Sequence, residues 1–330
     1  MCSILTADIY ISKGFAEVMS RKIPDLMSFL IWCSLRARKA EISNLLHDIH
    51  YLGNLVNAKL RFLWELLGVA IIITVPLASW LCVTLSMKEN MCKHLVLYFS
   101  FLIAYVPEGW NCRMWFIITF LHQIAAFALR TAATVLYVIV CCYFRNLLNK
   151  YSEKGIKKVT DFNSRLDSNY FRRYLEFYEN IMRTTTSFEN SMSSTALLIT
   201  ISDCMGMLYG LERIQHFKQM SFSLWLKWYS FSIVFFFLRG LFSFLCVSLA
   251  ASSVHEASKR AKTVQEEMLK KFLISNRKDN NKESFLLFVA LNRPPFVFSA
   301  WGFFYFTKSL VFSAFGTVLT YALLITQILR

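Results

Sequence analysis

The chain has 330 residues, of which 56% are hydrophobic, 31 are Phe and only 17% are charged, with a formal net charge of +15. Soluble domains lie nearer to half apolar and carry more charge, so a soluble globular protein is excluded. The basic surplus sits in connections between apolar runs, which marks topology and contact with anionic lipid and excludes a nucleic-acid-binding face.

In chain order, four segments are clear membrane helices: residues 61–85, 113–143, 223–250 and 307–329. Each supplies the roughly 20 apolar residues that cross a ~30 Å hydrocarbon core. A fifth segment, 190–211, is more polar but long enough, and a sixth, around 18–35, is weaker. The run 95–106 is too short to span and is expected as an interfacial or re-entrant piece. The fold class is therefore all-α, a polytopic membrane protein with six visible spans. A lipid-embedded sheet would need period-two alternation, which is absent. The N-terminal stretch lacks a basic region followed by an apolar core, so no cleaved signal peptide is expected.

The connections divide by charge. Loops 144–189 and 251–299 hold nine Lys and Arg each and loop 36–60 holds four, against two each in 86–112 and 212–222. The positive-inside rule places the three rich loops in the cytoplasm and Arg330 outside. Within loops 144–189 and 251–299, "FRRYLEFYENIMRTTTSFEN" and "SSVHEASKRAKTVQEEMLKKFL" have helical spacing with mixed charge on one face, so they are expected to be helical. Residues 276–284 have the composition of a flexible linker.

Ionisable residues inside spans are costly and each needs a reason. Counted from outer ends at residues 113 and 223, Arg130 and Arg239 lie roughly 25 Å inward, near the inner hydrocarbon edge, where Arg can snorkel. Both helices run on for about three turns, which predicts a helical bundle beyond the membrane. His122 and Asp203 lie roughly 12–14 Å deep from ends at 113 and 211. A structural pair and a polar contact in an outward-facing pocket are both open for them. Trp80, Trp115, Phe116, Tyr209 and Tyr229 near the external ends fit either an apolar ligand pocket above His122 and Asp203 or an interfacial aromatic belt.

Catalytic and metal motifs are missing. His47 and His50 are three apart on a helix, but with no further ligand nearby a solvated helix is the better reading than a metal site. The nine Cys lack metal spacing, and Cys92 and Cys112 flank an external loop either as a disulfide or as two thiols. No phosphate loop, nucleophile elbow or zinc-protease motif occurs, so neither an enzyme nor a cofactor is expected.

In the terminal helix, Ser309, Ser313, Gly316, Thr320, Leu324 and Gln327 share an arc of about 80° at 100° per residue. Such a stripe suits close helix packing, or it faces water in a pore, which only several copies around an axis could enclose. The same helix carries Thr320-Tyr321, five mostly apolar residues, then Gln327. That arrangement resembles the C-terminal signature of the arthropod gustatory receptor family, a seven-helix chemoreceptor superfamily related to insect odorant receptors. Ile328 stands where the family usually has an aromatic. "AWGFFYFTKSLVFSAFGTVLTY" and "YENIMRTTTSFENSMSSTALLITISDCMGMLY" resemble its approaches to the last and fifth helices.

The resemblance covers residues 36–330, with diagnostic motifs in the last third. It implies a tastant-gated, non-selective cation channel in the plasma membrane, a homo- or hetero-tetramer around the last helix with a cytoplasmic N-terminus. Residues 1–299 would form the transmembrane bundle and cytosolic anchor, with 283–292 as a short anchor helix, and residues 300–330 the pore-lining helix. Six spans are visible where the family has seven, and the first has no counterpart, which implies a truncated chain. A G-protein-coupled type of receptor is opposed by the charge count, and a transporter by the lack of an internal repeat.

Overall fold

The computed structural model describes residues 25–56, 62–85, 113–161, 168–216, 224–275 and 294–328, with Val289 between the last two stretches. Seven helices cover almost all of this: α1 (25–37), α2 (Lys39–Val56), α3 (Phe62–Leu85), α4 (Arg113–Thr160), α5 (Ser168–His216), α6 (Leu224–Ser275) and α7 (Lys308–Ile328). One hairpin, β1 (Ser299–Ala300) with β2 (Phe304–Tyr305), precedes α7. The all-α membrane architecture expected from composition is the one found. Among the described residues, four helices are long and apolar enough to cross a membrane, over Trp64–Cys82, Ile117–Thr160, Ser168–Leu208 and Ile233–Ile274. The short run 95–106, the Cys92 and Cys112 pair, the linker 276–284 and the anchor helix 283–292, apart from helical Val289, lie outside the described residues.

Side-chain register fixes the direction of each helix. The hydroxyl of Ser28 donates to the Ala126 carbonyl at 2.8 Å, and Asp25 lies 3.1 Å from His122, so α1 runs parallel to α4. Ser34 meets Ser194 and Thr195 at 3.0 and 2.9 Å while Ser191 donates to Glu41, so α1 and α2 oppose α5. Ser79 donates to Gln123 at 3.0 Å and Trp80 meets Phe120 edge-on, which sets α3 antiparallel to α4. Parallel α4 and α6 are tied by Gln265 Nε2 donating to Tyr151 Oη at 2.8 Å. Successive helices α2 to α6 thus alternate in direction.

Helices α4, α5 and α6 have 48, 49 and 52 residues. At a rise of ~1.5 Å per residue they measure about 72–78 Å, more than twice a hydrocarbon core. The predicted bundle beyond the membrane therefore exists, and it is longer than three turns. Its core is aromatic: Phe144, Tyr151, Phe171, Phe188, Phe272 and Phe298 are fully buried. Tyr151 stacks on Tyr174 at 4.0 Å and Phe171 on Phe272 at 5.1 Å. Lys271 of α6 donates to the carbonyls of Lys158, Val159 and Asp161, so a cation closes the C-terminal end of α4, where free carbonyls and the helix dipole favour it.

Gly155 permits this packing. A Cβ there would run into Tyr174 Oη and Val264 Cγ1, one on each neighbouring helix. Gly155→Ala is expected to lower stability by about 1–3 kcal/mol through overpacking. Thermal unfolding of the detergent-purified protein, followed by size exclusion, checks this; an unchanged melting profile would count against a rigid junction.

Candidate functional site

The terminal helix meets the rest of the protein along its N-terminal half. Leu310, Val311, Ala314 and Val318 are half-buried, and they share one arc of about 100°. Ser309, Ser313, Gly316, Thr320, Leu324 and Gln327 are all exposed, on an arc centred about 140° away. The stripe read from sequence therefore points away from the helices against which α7 rests. An added Cβ at Gly316 would meet nothing within 4 Å. Thr320 spends its hydroxyl proton on the Gly316 carbonyl at 2.8 Å, leaving oxygen lone pairs outward. Phe312 and Phe315 on the flank are also exposed, at 78% and 54%, as is Tyr321, at 55%, further along the arc of Leu310, so α7 beyond Val318 is bare on that side as well.

The hairpin clamps this helix to the bundle. β1 and β2 pair Ser299 with Tyr305 and Ala300 with Phe304. Between them Trp301 and Gly302 adopt φ of 47° and 77°, the left-handed region in which glycine is at ease. Phe298 and Phe306 insert into the core beside Tyr137. Glu189 of α5 accepts from both the backbone N–H and the hydroxyl of Ser299, at 2.9 and 2.6 Å. From α6, the Ser258 hydroxyl accepts the Phe296 N–H at 2.9 Å, His255 Nδ1 lies 2.9 Å from the Phe296 carbonyl, and Glu256 pairs with Lys308 at 2.5 Å. Both α5 and α6 are thereby bonded to the segment that leads into α7.

At membrane depth the ionisable residues are arranged otherwise than expected. His122 pairs with Asp25, not with Asp203. The reason lies in the helix ends: α5 continues to His216, so Asp203 lies roughly 20 Å from its outer end and His122 only about 14 Å from that of α4. Arg130 and Arg239, at roughly 26 and 23 Å, are the groups level with Asp203. Arg130 is 5% exposed and Asp203 3%, so Arg130 does not snorkel. It donates to Ser202, both guanidiniums act on the Asp203 carboxylate, and Ser243 hydrogen-bonds to it. The Phe127 ring takes both cations, Arg239 at 4.3 Å and Arg130 at 5.0 Å. Gly240 brings α6 against the Asp203 carbonyl, leaving no room for a side chain.

Of the other candidates, Trp80 is half-buried against Phe120 at 5.1 Å. Trp115, Phe116, Tyr209 and Tyr229 lie on helices, but their side chains are outside those described. Among the described residues no group of His, Cys, Asp and Glu could hold a metal ion.

A family model described as 7tm Chemosensory receptor matches residues 25–328. The chain belongs to that family. Among solved structures, the insect olfactory receptor OR5 from Machilis hrabei superposes on this chemosensory receptor with a TM-score of 0.66 at 12% identity, covering 94% of this chain and 80% of that one. The same receptor in complex with eugenol gives 0.60 at 11% identity over the same shares. At these identities the likeness is one of fold. No curated protein sequence matches the chain.

The family relation places the receptor among multi-pass chemoreceptors. Sequence reasoning missed the Arg130, Asp203 and Arg239 cluster and the roles of Glu189 and His255. The cluster had a signal: three charges on three apolar segments must find one another in lipid. Glu189 and His255 had none, since their partners are backbone groups of a distant segment.

Proposed function

We propose that this receptor is a gustatory-type, ligand-gated, non-selective cation channel whose last helix lines the conduction path in a homo- or hetero-tetramer. The observation that carries the reading is the exposure of the whole stripe on the face of α7 turned away from its own bundle. A helix with a polar and small-residue face left bare in one subunit becomes lined and enclosed when several copies surround an axis. Residues 1–299 act as bundle and anchor, and residues 300–330 as the pore-lining helix. Thr320, Tyr321 and Gln327, matching the gustatory signature, favour a taste receptor over an odorant receptor.

The ligand is a small, largely apolar tastant held in the outer half by Trp80, Trp115, Phe116, Tyr209, Tyr229 and His122. A related fold that binds eugenol supports a ligand of that size. Asp203, enclosed by guanidiniums, sets how α4, α5 and α6 lie against one another in the same site. Ligand-driven movement of α5 and α6 then reaches α7 through Glu189, Glu256 and the hairpin.

One experiment tests assembly, topology and function together. Cells express the chain with an epitope tag after Arg330, and whole-cell current is recorded during application of sugars, bitter compounds and amino acids. The tag should stain intact cells, because the basic loops hold the opposite ends inside, and some compound should evoke an inward cation current. Staining only after permeabilisation, or surface protein silent to every compound, would contradict the reading.

A further inference from the structure

Outside the ligand site, a cavity of about 460 Å³ opens between α6 and the start of α7. One face of α6 forms most of its wall, through Ser252, His255, Glu256, Lys259, Arg260 and Thr263, and Thr307 and Lys308 close it from the other side. Three permanent cations thus face one carboxylate. The spacing follows from helix geometry, since positions 252, 255, 256, 259, 260 and 263 repeat at three and four residues. Three hydroxyls and an imidazole also line it, but Ser252 and Thr263 donate to backbone carbonyls and His255 Nδ1 is engaged with the Phe296 carbonyl, so the charged side chains carry the recognition of an anion.

The level of the cavity is fixed by α7. A helix of 21 residues is about 31 Å long, one hydrocarbon thickness, so Lys308 at its first position lies at the membrane edge. Along α6, Glu256 lies roughly 48 Å from Leu224, so the cavity stands at or beyond the headgroup layer, within reach of a headgroup or a soluble anion. With loop 251–299 holding nine Lys and Arg, the leaflet is the cytoplasmic one. The pair between Lys308 and Glu256 is solvent-exposed, with 62% and 53% of the side chains accessible, so exchanging the carboxylate for another anion costs little.

We propose that this cavity is a binding site for a multiply charged phosphate anion, of the kind carried by a phosphorylated inositol headgroup or by its free, soluble counterpart. Lys259 and Arg260 hold the phosphates, and Lys308 turns from Glu256 toward them. Occupation would then pull on the first residue of α7 and change the gate, a consequence that rests on the channel reading. The binding itself goes beyond that reading and is measured without current.

The test uses the full-length protein purified in detergent, with a fluorescent short-chain phosphatidylinositol bisphosphate as probe. Binding should saturate and weaken with salt. Lys259→Gln with Arg260→Gln should weaken it about tenfold, the loss of charge-assisted phosphate contacts. Glu256→Gln should tighten it by freeing Lys308, a gain that misfolding cannot mimic. The control pair Lys154→Gln with Lys157→Gln, on exposed α4 surface, should leave it unchanged. Displacement by soluble inositol trisphosphate would assign the free anion; resistance to it, with retention on phosphatidylinositol bisphosphate vesicles but not on phosphatidylserine vesicles, would assign the lipid. Binding unaltered in both cavity variants, or weakened equally by the control pair, would overturn the site.

Discussion

Asp203→Ala is expected to remove most of the receptor from the cell surface. The carboxylate is 3% exposed and stands among Arg130, Arg239 and Ser243, which come from the two neighbouring long helices. Without it two guanidiniums remain in an apolar layer, held by Phe127 and Ser202 and, for Arg130, by the charge of Asp25. The guanidiniums act on Asp203 through space rather than in direct contact, so the loss lies toward the low end of the about 3–5 kcal/mol for breaking a buried ion pair, still a large share of the roughly 5–15 kcal/mol by which folded proteins are stable. Cation–π contacts, worth about 0.5–2 kcal/mol, do not offset that. Asp203→Glu should retain part of the surface protein. Replacing Arg130, Asp203 and Arg239 together by apolar residues of similar volume should restore more than Asp203→Ala alone leaves, because no charge is then stranded. Surface biotinylation against total protein decides it, and normal delivery of Asp203→Ala would remove the cluster from the account of stability.

Leu324→Ala should raise current in the absence of ligand. Leu324 is 47% exposed and lies on the stripe one turn inward from Gln327. A ring of such side chains around an axis forms an apolar constriction that closes by losing its water. Truncation to Ala removes roughly 1.5–3 kcal/mol of apolar contact from the closed state, which corresponds to about tenfold or more in the resting ratio of open to closed channels. Resting conductance per surface subunit is the quantity to compare. Unchanged conductance would move the constriction elsewhere.

Length and composition carried the architecture, because a span declares itself through 20 apolar residues whatever its partners. Helices α3, α4 and α6 were legible in this way as spans and α7 as a helix, and so was the helical nature of loops 144–189 and 251–299. Depth was harder. Glu212 and Arg213 look like a loop, yet α5 continues to His216, and that extra length moves Asp203 from the level of His122 to the level of Arg130 and Arg239. The hairpin escaped because its strands have two residues each, too few for a pattern. In hindsight Phe298, Ala300, Trp301-Gly302, Phe304 and Phe306 show alternation about a glycine turn. The stripe of α7 was legible as a stripe; whether it faced the bundle depended on where Leu310, Ala314 and Val318 packed, and a sequence does not hold that information.

The pore assignment of α7 is tested most directly by the calcium-to-sodium permeability ratio of Gln327→Glu. Gln327 is exposed on the stripe near the C-terminal end of the helix. A ring of neutral amides replaces part of an ion's hydration without fixing it by charge, whereas a ring of carboxylates favours divalent ions. The reversal potential of the ligand-evoked current, with calcium replacing sodium outside, should therefore shift to more positive values in the variant. A conducting, surface-delivered Gln327→Glu receptor with the wild-type reversal potential would make the stripe a packing face and place the pore elsewhere.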